Sequence, residues 1–383
     1  MSAASVFIYV QHLLGIGHLK RAAVLARAFA ARGLTVTLAS GGPAVPGISS
    51  AGVRLVQLPP ASAADLSFKV LLDEAGCPID EAWKRKRSAA LLEAWRAAAP
   101  RVLMLELYPF GRRQMRFELL PLLEAAQAAS PRPSVVCSVR DILGGQRSRE
   151  RHEETLRLVE RFFDHVLVHG DPGVIGFETS FPDAARIAGR MAYTGYVVDV
   201  APPAGGDAGR GEVIVSAGGG AVGARLLEAA LQARPLCTLR DRRWRLLAGH
   251  NLPEEDFRKL SAHANGVAVE RSRPDFTTLL ANCALSISQA GYNTLLETVQ
   301  ARARAVVVPF AGGNETEQSL RAHCFARRGL LEVLEEPALS ASALAAAIDR
   351  AARAPQPSPG AIDLDGARKS AALVARWARQ DAR

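Results

Sequence analysis

No Asp or Glu occurs in the first 64 residues of this 383-residue chain, although the whole carries 38 acidic and 47 basic side chains and a net charge of +9. A dinucleotide fold holds its ribose with a carboxylate about twenty positions after its glycine loop, so an N-terminal NAD site is not expected. Cysteine is scarce: Cys77, Cys137, Cys237, Cys283 and Cys324 form no CxxC pair and no metal-like spacing. They read as small core residues in a reducing compartment, and no metal site is expected. Nowhere do roughly eighteen apolar residues run together, and Met1 to Ser5 lacks the basic stretch and apolar core of a secretory signal, so a cytoplasmic protein is expected. No zinc-finger spacing or RRM signature is present, which argues against a nucleic-acid partner.

What is present is an alternation of apolar runs with helix-length amphipathic segments, the pattern of βαβ units and a mostly parallel sheet. Strands are expected at Val6–Val10, Thr35–Leu38, Arg54–Leu58, Val102–Leu107, Val135–Ser138 and His165–Val168, with helices at Leu19–Ala31, Glu81–Ala98, Gln114–Ala128 and Glu150–Phe163. Residues 200–211 (VAPPAGGDAGRG) read as a linker. The alternation restarts with strands Val213–Ser216, Arg245–Ala248, Val267–Val269, Ala284–Ile287 and Ala305–Val308. Helices Val222–Ala233, Glu315–Arg328, Ala341–Arg353 and Gly366–Gln380 accompany them. The expected architecture is α/β, with two doubly wound Rossmann-like domains, residues 1–199 and 212–365, facing across a cleft. Residues 366–383 form a last helix that packs back on the first domain.

Between Ala284 and Gly329 the chain reads as strand, glycine turn, helix, strand, Pro-bearing loop and helix. In open parallel sheets ligands bind beyond the carboxyl ends of the strands, where Gln289, Gly291, Tyr292 and Asn293 stand. A helix opening there offers free N–H groups to an anion, and Glu297, one turn further in, is placed to accept from a sugar hydroxyl. Gly218, Gly220 and Gly223 in SAGGGAVG fit GxGxxG, yet the next strand ends in Leu247-Ala248-Gly249-His250 without a carboxylate. The loop is therefore read as a phosphate cradle, with Ser216 and Gly219 beside it, rather than as a dinucleotide site.

His18 follows Gly17 at the expected start of the first helix, where the dipole disfavours its protonated form and suits it to act as a general base. Asp141 and Glu106 also lie at strand carboxyl ends and are alternatives for that role, or for orienting an acceptor. Residues 81–116 hold nine Lys or Arg against three Glu, together with Trp83, Trp95, Tyr108 and Phe110, a mixture that suits either an anionic bilayer or a solvated helix face. Asp363-Leu364-Asp365 is read as a cap on the last helix rather than as a metal-binding DxD.

Taken together, SAGGG, SQAGYNTLLE, VVVPF, ETEQSLRA and the N-terminal GIGHLKRA resemble, in order and spacing, the MurG-like glycosyltransferases of the GT-B fold. Their C-terminal domain is of the glycosyltransferase family 28 type, and the group includes monogalactosyldiacylglycerol synthases. The resemblance implies a nucleotide-diphosphate sugar donor, most often a UDP-sugar, held by the C-terminal domain. Gly218, Gly219, Gly220, Gly291, Tyr292 and Asn293 would face the diphosphate, with Gly17, Ser216 and Gln289 at their margins. Glu297 would take the ribose, Arg271 and Ser272 would lie near the base, and Glu317 and Gln318 would bind the donor sugar. It implies transfer of a hexosyl or N-acetylhexosaminyl group to a lipid or glycan hydroxyl, with inversion and without metal or other cofactor. Peripheral attachment to the inner face of a membrane goes with such acceptors. A sugar-nucleotide 2-epimerase and a non-catalytic nucleotide-sugar binder are the competing readings, and residues 60–130 match nothing quotable.

Overall fold

The computed structural model describes residues 4–45, 48, 51–65, 68–145, 148–200, 206–218, 223–249, 252–312 and 316–380. The chain divides into two compact units, one of residues 1–197 with 365–383 and one of residues 198–364.

The first unit is built on seven parallel strands: β1 (Ser5–Val10), β2 (Thr35–Ser40), β3 (Val53–Gln57), β4 (Val102–Glu106), β5 (Ser134–Arg140), β6 (His165–His169) and β7 (Met191–Tyr193). Their order is β3-β2-β1-β4-β5-β6-β7, so the chain reverses direction across the sheet between β1 and β4. The central strands are apolar on both faces, because helices cover both sides. Helix α1 (Gly17–Ala30) lays Leu19, Ala22, Ala23, Ala26 and Phe29 on one face. Helices α2 (Glu81–Ala98), α3 (Arg116–Ala128) and α4 (Arg149–Phe162) complete the wrapping. Asp80 caps α2 by accepting from the Trp83 amide at 2.7 Å. A short antiparallel ribbon, Ser62–Ala63 with Leu71–Leu72, lies between β3 and α2.

One buried ion pair ties this unit together. Arg87 Nε sits 2.8 Å from Glu118 Oε2 with neither side chain exposed. Arg87 also donates to Gln11 Oε1 at 2.9 Å and to the Gly41 carbonyl at 3.0 Å. Tyr9 Oη donates to Glu118 Oε1 at 2.5 Å. The network fixes the backbone just beyond β1, where the site begins.

The second unit carries β8 (Val213–Ser216), β9 (Trp244–Ala248), β10 (Ala268–Arg271), β11 (Leu285–Gln289), β12 (Ala305–Val308) and β13 (Glu332–Val333), in the order β10-β9-β8-β11-β12-β13. All are parallel, and the reversal falls between β8 and β11. Helices α5 (Ala224–Ala233), α6 (Glu254–Ala262), α7 (Phe276–Asn282), α8 (Tyr292–Gln300), α9 (Glu317–Ala326) and α10 (Ala341–Arg353) flank the sheet. Two doubly wound parallel sheets are thus the architecture the alternation predicts.

Some elements depart from the sequence reading. Residues 206–211, expected to be linker, are pinned to the end of α7: Asn282 Nδ2 donates to the Gly206 and Ala208 carbonyls, and the Gly211 amide donates to Asn282 O. The last helix, α11 (Gly366–Arg379), is no departure: it belongs to the first unit and buries Ala371, Val374 and Trp377 there. Asp365 stands at its N-cap position, but its carboxylate pairs with Arg368 rather than capping an amide. The expected helix starts Val222 and Glu315 lie outside the described residues. Among the described residues no helix is long and apolar enough to cross a membrane.

The basic and aromatic segment 81–116 does not expose the apolar groups that made it a candidate bilayer surface. Trp95, Tyr108 and Phe110 are buried in the core and Trp83 is half-buried against Phe117. Of its cations, Arg87 is consumed by Glu118, and Arg113 and Arg116 pair with Glu154.

Candidate active site and donor loops

In each sheet the reversal of strand order leaves a crevice at the carboxyl ends of two adjacent strands, the ordinary ligand position of this architecture. In the first unit those strands are β1 and β4. His18 stands in the first turn of α1, which leaves β1, and Glu106 is the last residue of β4. His18 Nδ1 and Glu106 Oε1 are 3.0 Å apart, and Arg21, one turn along α1, donates to the same carboxylate oxygen. Glu106 is 1% exposed and His18 18%.

Burial pushes Glu106 up, but the charges of His18 and Arg21 and the His18 hydrogen bond outweigh it and hold the carboxyl well below its usual range. Burial lowers His18 to about 3, with Arg140 and Arg112 acting in the same direction against Glu106. At neutral pH the pair is therefore an ionised carboxylate and a neutral imidazole. The hydrogen-bond network assigns the proton to Nδ1, donating to Glu106, and leaves Nε2 as an acceptor. His18 lines a cleft of about 200 Å³ with Leu13, Leu14, Gly15, Gly17, Phe68, Arg112 and Arg140.

Asp141, the other carboxylate candidate, is fully buried and accepts from the Ile142 amide at 2.9 Å; it is not among the residues lining this cleft. His169 is likewise committed to the core. Its Nε2 lies 2.8 Å from Ser138 Oγ and its Nδ1 2.9 Å from Thr194 Oγ1.

In the second unit the two loops leave β8 and β11, paired in register at Ser216 and Ser288. Ser216 Oγ accepts from the Gly218 amide at 3.3 Å, and Gly218 takes a left-handed φ of 68°, which an unbranched backbone reaches without strain. Gly219 and Gly220 lie outside the described residues. Gly223 opens α5 so close to the strand that an added Cβ would stand 2.0 Å from Ala217 Cβ, the close helix–strand packing its place in GxGxxG serves. Gly291 is the N-cap of α8, with no side-chain cap and no acid in the first turn. α8 leaves β11, the neighbour of the strand that carries the glycine loop, and a helix N-terminus in that place can hold an anion.

Residues 214–368 match the family described as glycosyltransferase family 28 C-terminal domain. Along its whole length the chain is similar to solved glycosyltransferases. MurG of Acinetobacter baumannii is 14% identical, with 99% of this chain and 95% of that one covered and a TM-score of 0.55. The rhamnosyltransferase SpnG, solved with thymidine diphosphate, is 16% identical over 97% and 95%, with a TM-score of 0.57. A UDP-glucosyltransferase from Polygonum tinctorium, capable of glucosylating indoxyl, is 13% identical over 100% of both chains, with a TM-score of 0.63. The chain has the GT-B fold of these glycosyltransferases, and its second unit carries the match to the family 28 C-terminal domain.

Within this GT-B frame the remaining donor-side residues fall on three elements. Gln289 ends β11, while Tyr292, Asn293 and Glu297 lie on α8, with Tyr292 buried and Asn293 and Glu297 half-buried. Glu317 and Gln318 open α9. Glu317 Oε1 accepts from Arg321 Nη2 at 2.9 Å, and the buried Arg321 guanidinium lies 4.9 Å from the Tyr292 ring centre. Arg321 therefore links the starts of α8 and α9, which the sequence reading did not notice. Gln318 Oε1 accepts from the Phe310 amide at 3.2 Å. Ser272 turns back on β9, its amide and hydroxyl donating to Ala248 O at 2.8 and 3.1 Å. Arg271 donates to the carbonyls of Gly249 (3.1 Å) and Leu252 (2.8 Å) and to Glu254 (2.7 Å), and stacks on Phe257. Its guanidinium thus ties Gly249, Leu252 and Glu254 to the end of β10.

Arg21, Arg112 and Arg140 were also absent from the sequence reading. For Arg21 there was a signal: a charged residue three places after His18, inside the apolar stripe of an amphipathic helix.

Proposed function

We propose that the protein transfers a sugar from a nucleotide-diphosphate donor, a UDP-sugar, to a hydroxyl of a lipid or glycan acceptor, with inversion and without a metal. The observation that carries this reading is the His18–Glu106 pair. It presents a neutral imidazole nitrogen to a cleft at the switch point of the first sheet. In the proposed reaction Nε2 takes the acceptor hydroxyl proton as the oxygen attacks the anomeric carbon. The bond from that carbon to the β-phosphate oxygen breaks on the opposite side, and the nucleoside diphosphate leaves with the bonding electrons. Glu106 stays ionised and stabilises the imidazolium that forms, while Arg21 keeps Glu106 in place.

On the donor side we assign the leaving diphosphate to the amides at Gly218 and at the start of α8, the ribose to Glu297, and the donor sugar to Glu317 and Gln318. Backbone dipoles fixed before the reaction stabilise such charge without reorganising. The complex of SpnG with thymidine diphosphate and the UDP-glucosyltransferase support a nucleotide-sugar donor, and between them they span two bases. The group transferred is a hexosyl or N-acetylhexosaminyl unit, and the proposed place of work is the inner face of a membrane.

The test is a melting-temperature screen of the chain against UDP, dTDP, GDP and their sugars, followed by transfer assays with and without EDTA. A ligand specific for the fold raises the midpoint. No response to any nucleotide sinks the donor assignment. Conversion of UDP-N-acetylglucosamine to its manno epimer without acceptor would move the chain to the 2-epimerases. Turnover abolished by EDTA overturns metal independence.

A further inference from the structure

The cleft that holds His18 contains more cationic than anionic character, and one of its cations is spare. Arg112 sits in the loop after β4 with a left-handed φ of 59°, a conformation a non-glycine residue adopts only when its surroundings enforce it. The turn before it depends on Gly111, where an added Cβ would stand 2.7 Å from Leu107 Cδ2. Arg112 Nε donates to Gln11 O at 2.7 Å, and Gln11 is itself held by Ala61 O and Arg87. The guanidinium is therefore anchored at one nitrogen on a rigid backbone. Among the described residues it has no ion pair, and it lines the same cleft as His18. Glu106, the carboxylate whose charge acts on Arg112, lies behind the cleft wall and is already engaged by His18 and Arg21. Leu13, Leu14 and Phe68 form apolar wall around it. A cation held in such surroundings is costly until an anion meets it, and a planar guanidinium meets two oxygens of one group at once.

We propose that the acceptor carries an anionic group, a carboxylate or a phosphate, close to its reactive hydroxyl, and that Arg112 binds that group while His18 takes the proton. The inference rests on the reading of His18 as the base and narrows the acceptor within it. It selects hydroxy acids or phosphate-bearing headgroups and sets aside neutral acceptors such as diacylglycerol. Arg140 adds positive charge to the cleft but is not required as a ligand.

The experiment uses the full chain labelled at its histidine rings, with the His18 signal identified by its loss in His18→Asn. Benzoate, methyl phosphate and the neutral isostere benzamide are titrated at millimolar concentration. The expected result is a saturable shift of the His18 resonance with an anion, about tenfold weaker with benzamide, as for loss of one charge-assisted pair. Arg112→Gln should lower anion affinity by about the same factor, and Arg112→Lys should recover part of it. Stronger binding of benzoate assigns a carboxylic acid acceptor, and stronger binding of methyl phosphate a phosphate headgroup. Equal responses to benzoate and benzamide in the native protein overturn the proposal, and so does no His18 response to either anion. These two comparisons need no variant, so they decide even if Arg112→Gln folds poorly. UDP and dTDP binding is measured on the same samples. An Arg112→Gln protein that loses nucleotide rather than benzoate puts Arg112 on the donor and overturns the assignment. A native protein that binds no nucleotide overturns the transferase reading, whatever the anion result.

Discussion

The two units share one sheet order around the reversal, yet they furnish their switch points differently. In the first, the crevice is lined by side chains that carry charge or exchange protons, His18, Arg112 and Arg140, with Glu106 and Arg21 buried behind His18. In the second, the strands at the reversal lead into the Gly218 turn and into the start of α8, which has no side-chain cap. Side chains can move a proton, whereas amides and helix dipoles can hold a charge that arrives with a ligand. Under the proposed function the same topology would separate two tasks, chemistry on one unit and binding on the other.

The sharpest way to break that comparison is His18→Ala. If the first crevice does the chemistry, transfer should fall by about 10²- to 10⁴-fold, the usual range for a general base, with UDP or dTDP affinity unchanged. Steady-state kinetics beside calorimetric nucleotide titration measure both, and retained turnover would return the choice of base to Glu106 or Asp141. The converse variant is Glu297→Ala. It should weaken nucleotide binding by about 1.5–3 kcal/mol, the cost of a lost hydrogen bond to a charged group, with the His18 pair intact. An unchanged dissociation constant for UDP and dTDP would remove Glu297 from the donor site.

How much of this could be read beforehand depended on whether a residue's task shows in local pattern. Strands β8 and β12 and helices α2 and α10 fall on the residues expected, because apolar runs and amphipathic stretches bounded by turn residues are local signals. Helices α6 and α7 did not show. Only Leu260 is buried in α6, and α7 is seven residues long, too short for periodicity to stand out. Met191–Tyr193 and Glu332–Val333 are edge strands of three and two residues that only the sheet defines. At the site, His18 and the glycine loops were legible because helix starts and tight turns are written locally. The link from Glu106 to His18 spans 88 residues and exists only once β1 and β4 are neighbours. Arg321 is the instructive miss. It stands four residues after Glu317 on one helix face, a spacing at which an ion pair is readable from sequence alone.

A smaller effect sharpens the contrast through pH. In the first unit burial lowers His12, His18, His165 and His169 below the ordinary imidazole value, His18 and His169 to about 3. A group whose folded pKa is depressed binds fewer protons in the folded chain than in the unfolded one. As pH falls below about 6.5 the unfolded state gains protons that the fold refuses, and stability drops until the folded value is reached. For His18 and His169 the loss is about 1 kcal/mol each between pH 6.5 and 5.5. Glu118, pushed up by burial against the pull of Arg87, works with the opposite sign. In the second unit the shifted acids Glu212, Asp275 and Asp349 are held down by Arg245, Arg273 and Thr238. They contribute stability that is lost only as pH falls below the ordinary carboxylate range. Hydrogen exchange read by peptide at pH 6.5 and 5.5, corrected for intrinsic rates, should therefore show opening free energies falling in β4 to β6 while those of β8 and β11 hold. Equal losses in both sheets would mean that the buried imidazoles of the first unit are not what distinguishes it.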